Sequence, residues 1–344
     1  MSDPRRIIDY MIDMSRDRMS NRRSTSACGS SGALLECRGW VGYAHGMVRL
    51  DESAALVSLL RGRKSGWGDV ADEVEQAGSA VSVFERRRDG IGEQGDLFAS
   101  PANAPSDSLD PARGAIRQWE SEGMHLVTLL DPDYPQQLLT IHQRPPFLLY
   151  RGHLDPADAT GVAIVGTRKP TDDGIARARA IAGGLASQGA TVVSGLAAGI
   201  DSAAHTAALA NGGRTVAVIG TGLRKFYPAA NRVLQEQIGR EHLVISQFWP
   251  DSPPTKTSFP MRNAVMSGYA AATVVIEAAW RSGARMQARL ALEHGRPVFL
   301  HESLMDHDWA REYSRRGAVV VRSAEDVLEQ LSTRLAVVDE LVWS

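Results

Sequence analysis

The stretch Val162-Ala-Ile-Val-Gly-Thr-Arg-Lys-Pro170 decides the reading of this chain. An apolar run of strand type stops at Gly166, an Arg stands two residues later, and a helix-like segment follows. The same grammar returns as Thr191-Val-Val-Ser-Gly-Leu-Ala-Ala-Gly-Ile-Asp201, and again as Val216-Ala-Val-Ile-Gly-Thr-Gly222. Three successive strands thus end in glycine turns that open into helices or loops. In an open parallel sheet, ligands bind just outside the carboxyl ends of the strands. Glycine lets a ligand approach the backbone, and helix N-termini aim N–H groups at anions. The three turns together read as one edge built for phosphate.

Outward from this stretch, strands and helices alternate to about residue 331. Strands are expected at 162–167, 191–195, 215–220, 243–247, 272–278, 297–301 and 318–321. Helices are expected at 172–188, 201–211, 230–238, 261–269, 283–294, 308–316 and 324–334. The strands are continuous apolar runs, so both faces of the sheet should be covered by helices. The fold class is α/β: an extended, Rossmann-like, doubly wound and mostly parallel sheet.

Upstream, Ala115 to Glu122 reads as a helix, and His125-Leu-Val-Thr-Leu-Leu130 and Phe147-Leu-Leu-Tyr150 read as strands. These open a core domain expected over 114–334, followed by a tail at 335–344 with no winged-helix module. Residues 51–88 read as a small helical module of the SAM or helix-hairpin kind, carried by Leu56, Leu59, Leu60, Val70, Val74, Val81 and Phe84 and broken at Gly66-Trp67-Gly68. Gly, Pro, Ser and Asp mark a linker at 89–113. The first 50 residues are weakly patterned, with Arg5, Arg6, Arg16, Arg18, Arg22 and Arg23. They hold one short amphipathic run at Ile7, Ile8, Met11 and Ile12.

The 344 residues, 43% of them apolar, suffice for about two domains with a full core. No apolar run approaches the ~18 residues that span a membrane, and no signal peptide is expected. Cys28 and Cys37 form neither a C-x-x-C pair nor a disulfide framework. A reduced, cytoplasmic protein is the expectation. The net charge of -2 hides an asymmetry. Residues 161–300 carry 15 Arg and Lys against 8 Asp and Glu, whereas 301–344 carry 5 against 9. The glycine-turn region is the basic part of the chain, which suits a polyanionic partner.

Gly166-Thr167-Arg168-Lys169 places a guanidinium where the sheet ends, able to clamp a phosphate. The turn is neither G-x-G-x-x-G nor a Walker A loop, so no dinucleotide or nucleotide cofactor is called. Ser194, Gly195 and Gly199 form the second turn. Asp201 suits the first turn of the helix after it, and His205 stands four residues on. The two are expected to hydrogen-bond to each other rather than to catalyse. Gly222, Arg224, Lys225, Phe226 and Tyr227 set cations beside rings, as single-stranded nucleic acid requires, with one ring in and one out. Lys256, Arg262 and Asn263 add donors. Glu277 is expected to orient Arg262 or Arg285 by pairing, while Ser282 and Gly283 open the next helix. His301, Asp306, His307 and Asp308 match no zinc spacing, and no metal is called.

The order of these pieces resembles the DNA-processing protein A family (DprA, also called Smf). The resemblance rests on Gly166-Thr167-Arg168, Ser194-Gly195, Gly199-Ile200-Asp201 with Ala204-His205, and Gly220-Thr221-Gly222-Leu223 with Tyr227-Pro228 and Asn231. It continues through Phe259 with Arg262-Asn263, Glu277 with Ser282-Gly283, and Ala291 with Gly295-Arg296. Asp131-Pro-Asp-Tyr-Pro135 and Tyr150-Arg151-Gly152 resemble the lead-in to that core, and the likeness spans about residues 52–305. It implies a non-enzymatic homodimer that binds single-stranded DNA, protects it, and helps load a RecA-type recombinase in natural transformation. By motif, Arg168, Lys225, Phe226, Arg262 and Asn263 would contact DNA. The chain departs from the pattern at Ala198 and Ala264, where the family commonly has Arg, and at Gln287, where it has Thr. Such a variant could serve in phage defence or toxin control. The alternative is a nucleotide-binding or nucleotide-cleaving sensor in which Glu277 is the carboxylate that matters. A third is a module that binds only a protein partner.

Overall fold

A computed structural model describes residues 48–61, 66–93 and 108–343. The expected short helix at Ile7–Ile12 and both cysteines lie outside the described residues. The chain divides into two compact units. The larger holds 135–144 and 150–343 and the smaller 48–61, 66–93, 108–134 and 145–149, among the described residues.

The smaller unit contains helix α1 (48–60), α2 (Trp67–Ala77), α3 (Ala80–Glu93) and α4 (Asp110–Ser121), then strand β1 (His125–Thr128). Gly66 and Gly78 flank α2 in the left-handed region, which a Cβ would disfavour, so the chain turns sharply at both ends. Glu52 on α1 caps α3 from a distance: its carboxylate accepts from Ser79 Oγ at 2.7 Å and Ala80 N at 2.6 Å. Leu56, Leu60, Val70, Val74 and Phe84 are buried, and Trp67 packs on Phe147 with ring centroids 5.5 Å apart.

The larger unit alternates strand and helix. Its elements are β3 (Val162–Val165), α5 (Asp172–Ser187), β4 (Val192–Ser194), α6 (Ile200–Ala210), β5 (Thr215–Val218), α7 (Arg232–Glu241) and β6 (Leu243–Ser246). They continue with α8 (Ser258–Tyr269), β7 (Ala272–Val275), α9 (Gly283–Glu293), β8 (Val298–His301), α10 (Asp308–Arg315), β9 (Val319–Val321) and α11 (Ala324–Trp343). With the end of β2 (Phe147–Gly152), whose residues 150–152 belong to this unit, the strands of the larger unit order as β2-β6-β5-β4-β3-β7-β8-β9. The seven strands from β3 onward pair in parallel. The chain runs outward from β3 to β6, then crosses back to β7 and runs the other way. Val162 therefore pairs with Val192 on one side and Ala272 on the other. The strand order reverses between β3 and β7, where open α/β sheets bind ligands. Right-handed crossovers put α5 and α9 on opposite faces at that point.

One face is sealed by α5, α6 and α11. Val162, Ile164, Ile181, Leu185, Val192, Ile200, Val274, Phe299, Val327 and Leu328 share that core. The strands are shorter than their apolar runs because Gly166, Gly195 and Ile219-Gly220 are spent on turns rather than ladders. Helix α8 starts at Ser258, ahead of the expected 261, because Pro260 falls in its first turn, where a missing N–H costs nothing. Among the described residues no helix is long and apolar enough to cross a membrane.

Candidate nucleic-acid interface

The three glycine turns interlock. A Cβ on Gly166 would strike the Ile200 side chain, and one on Gly199 would meet Thr167 O at 2.5 Å and Pro170 Cδ at 2.8 Å. Gly199 also holds φ +85, a conformation few other residues tolerate. Ile200 N donates to Thr167 O at 3.3 Å, and Thr167 N donates to Glu277 O at 2.7 Å. Thr167 thus ties the β4 and β7 turns to its own. The space beside Gly222 is filled by the carbonyls of Trp249 and Pro250, and that beside Gly195 by the Arg262 guanidinium. The absent side chains let loops close on one another and bring the strand ends into one surface.

Beneath that surface lies Arg262, which is 5% exposed. Its Nη1 donates to the carbonyls of Gly195 and, at 2.8 Å, Val218, and its Nε donates to Asn263 Oδ1 at 3.0 Å. Arg262 therefore clamps the ends of β4 and β5. Burial pushes its pKa down, while the nearby Asp201 carboxylate opposes that shift. Burial likewise raises the Asp201 carboxyl, against the Arg262 charge and the backbone N–H groups of Ala197 and Gly195. The expected hydrogen bond between Asp201 and His205 does not form. Asp201 accepts instead from Ala197 N at 3.3 Å, and His205 Nδ1 lies 2.7 Å from Thr215 Oγ1. Thr215 Oγ1 gives its own proton to Val192 O, so it accepts from the imidazole. Burial holds His205 at a pKa of about 3, helped by the Arg262 charge.

Above Arg262 the cations reach solvent. Arg168 is exposed and makes no ion pair among the described residues, although its charge acts on the buried Asp201 carboxyl; its guanidinium carbon lies 5.0 Å from the centre of the Phe259 ring. Phe259, in the first turn of α8, stands 5.4 Å from the Tyr227 ring, which is 43% exposed. The expected division of rings is thus uneven: Tyr227 faces outward, and Phe226 is half-buried under Arg232, 4.9 Å away. Lys169, Lys225 and Lys256 are exposed and make no ion pair among the described residues. Arg224 differs, because Asp251 pairs with it at 2.5 Å.

Glu277 does not pair with Arg262 or Arg285. Its carboxylate accepts from Thr171 Oγ1 at 2.7 Å and Thr171 N at 3.2 Å, latching the β7 turn to the start of α5. Ser282 caps α9 by accepting from Arg285 N at 3.2 Å, and Asn263 Nδ2 reaches Gly283 O at 3.5 Å. Ser194 Oγ is also internal, donating to Ile164 O at 2.6 Å. The predicted residues therefore separate into two layers. Ser194, Asp201, His205, Arg262, Asn263 and Glu277 build the edge, while Arg168, Lys169, Lys225 and Lys256 face outward from it. Sequence reasoning passed over Phe259 as a surface ring. Its place ahead of Pro260 and Arg262 in the first turn of α8 was the available signal.

Comparison with known proteins agrees with this architecture. The family model described as DNA recombination-mediator protein A matches residues 125–332. The DNA processing protein DprA of Streptococcus pneumoniae is 43% identical over 237 residues, covering 65% of this chain and 84% of that protein. Protein Smf of Synechocystis is 41% identical over 223 residues, covering 63% of this chain and 56% of that protein. The crystal structure of the pneumococcal protein superposes with TM-score 0.64 and 33% identity, covering 80% of this chain and 97% of that one. A structure of DNA processing protein A from Helicobacter pylori, described for its single-stranded DNA binding mode, superposes with TM-score 0.53 and 28% identity. It covers 61% of this chain and 96% of that one.

Proposed function

Because the chain belongs to the DNA recombination-mediator protein A family, we propose that it binds single-stranded DNA along the carboxyl edge of its sheet, without cutting it. The observation that carries this reading is the exposed Arg168 guanidinium, unpaired among the described residues and set over Phe259 next to Tyr227. Cations there track phosphates, and rings accept any base by stacking. Lys169, Lys225 and Lys256 extend the charge, and Arg262 holds the strand ends that carry it. In the same reading the protein works as a homodimer in the cytoplasm, shields incoming strands and delivers them to a RecA-type recombinase. A nucleotide-cleaving role is less favoured, because the Glu277 carboxylate is engaged by Thr171.

The test is a titration of labelled oligothymidine, read by fluorescence anisotropy, with duplex of the same length as competitor. Single strands should bind and duplex should compete poorly. Arg168→Ala and Lys225→Ala should each weaken binding, and the oligonucleotide should be recovered intact. Binding indifferent to both substitutions would remove the edge as the site.

A further inference from the structure

Away from the Arg168–Phe259–Tyr227 surface, one further exposed aromatic stands among cations in the described residues. Trp280, 55% exposed, lies in the loop between β7 and α9. The Arg285 guanidinium stacks 3.8 Å from the centre of its ring and donates from Nη1 to Trp280 O at 3.1 Å. Arg281, Arg289, Met286 and Tyr313 complete the walls of a groove of about 450 Å³ whose lining contains no carboxylate. Of its three arginines only Arg289 is paired, to Glu293 at 3.7 Å, among the described residues. An indole held flat by a guanidinium is a rigid platform, and an excess of cations around it suits a polyanion.

The groove adjoins the DNA edge. Trp280 follows Glu277 by three residues, and Glu277 is hydrogen-bonded to both Thr167 and Thr171 in the turn that carries Arg168. That turn and the Trp280 loop leave β3 and β7, the two strands between which the strand order reverses. Strands lie about 4.8 Å apart. The end of β5, which leads to Lys225 and Tyr227, is thus only about 14 Å from the end of β7.

We propose that Trp280, with Arg281 and Arg285, is a second base-stacking platform that receives the same single strand after it passes Arg168. The inference rests on the DNA-binding reading above. A strand long enough to cross the reversal point stacks one base on Trp280 and sets a phosphate against Arg281, whereas a short one fills only the Arg168–Phe259–Tyr227 stretch.

The experiment compares wild type, Trp280→Ala, Trp280→Phe and Arg168→Ala of the full chain in anisotropy titrations against oligothymidines of increasing length. Trp280→Ala should leave short oligomers unaffected and weaken long ones by roughly 5- to 150-fold, the worth of one stacked base. Trp280→Phe should restore most of that loss. Removing a neutral ring should leave the salt slope unchanged, whereas Arg281→Ala should shorten it by about 0.7. If Arg168→Ala weakens binding while Trp280→Ala matches wild type at every length, the platform is refuted and the DNA-binding reading stands. A loss equal at all lengths and unrelieved by Phe would also refute it, as damage to the fold. If wild type binds no single strand, both readings fall together.

Discussion

Replacing Arg262 with Ala should unfold the edge rather than merely weaken its charge. The side chain is 5% exposed and serves three acceptors: the carbonyls of Gly195 and Val218 and the amide of Asn263. Each buried carbonyl left without a donor costs about 1–3 kcal/mol. The buried Asp201 would also lose the cation that most offsets its burial. Removing one partner from a buried charged arrangement costs about 3–5 kcal/mol, and the two routes agree on roughly 4 kcal/mol. For a unit of about 200 residues, that lowers the melting temperature by roughly 6–20 °C. Scanning calorimetry on purified wild type, Arg262→Ala and Arg262→Lys reads the effect. Lys should recover only part of it, because one ammonium cannot reproduce the guanidinium fork. Gly195→Ala would push a methyl into the same guanidinium. Its cost should therefore be markedly non-additive with that of Arg262→Ala. A variant Arg262→Ala that melts within about 2 °C of wild type would refute the clamp.

Two further outcomes follow from the same layer. His205 has a folded pKa of about 3 against an ordinary 6.5, so the unfolded chain takes up a proton that the folded protein refuses. The stability this neutral imidazole contributes is complete above pH 6.5. It should fall by about 1.4 kcal/mol per pH unit as pH drops toward 3. Urea denaturation of wild type and His205→Gln across that window checks it: the variant should show a flatter acid limb, and identical limbs would contradict the assignment. Gly199→Ala would force a Cβ to 2.5 Å from Thr167 O at φ +85. It should destabilise by more than about 1 kcal/mol in the same denaturation assay, and a neutral result would show that the β3 and β4 turns are not interlocked.

Most of the fold was legible because the strands from Val162 to Val321 are apolar runs alternating with helical segments, the first three ended by glycine, and that pattern has few other readings. Their order was not, because alternation is equally compatible with a chain that never crosses back at β3. The site was legible as a region and misread in its layers. Arg262 and Arg168 look alike in sequence, each a cation beside a turn. What buries one and exposes the other is the missing Cβ of Gly195, 67 positions from Arg262. The Glu277 latch has the same origin, since its partner Thr171 is 106 residues away and joins it only because β3 and β7 are neighbours. His205 and Asp201, four apart on one helix, suggested a pair by spacing. The local backbone at Ala197 and the hydroxyl of Thr215 took their hydrogen bonds instead. Trp280 carried no motif, and only its exposure and the guanidinium over it single it out.

The central claim is that cations on the sheet's carboxyl edge, Arg168 first among them, hold the phosphates of a single strand. The direct measurement is the slope of log affinity against log salt concentration for oligothymidine, with wild type and Arg168→Ala side by side. Wild type should show a steep negative slope, and loss of one phosphate contact should shorten it by about 0.7 in the variant. Thermal stability should fall by no more than about 4 °C, because Arg168 is exposed, makes no ion pair among the described residues and loses only its contact with the Phe259 ring. Equal slopes for the two proteins, or an affinity indifferent to salt, would contradict the claim.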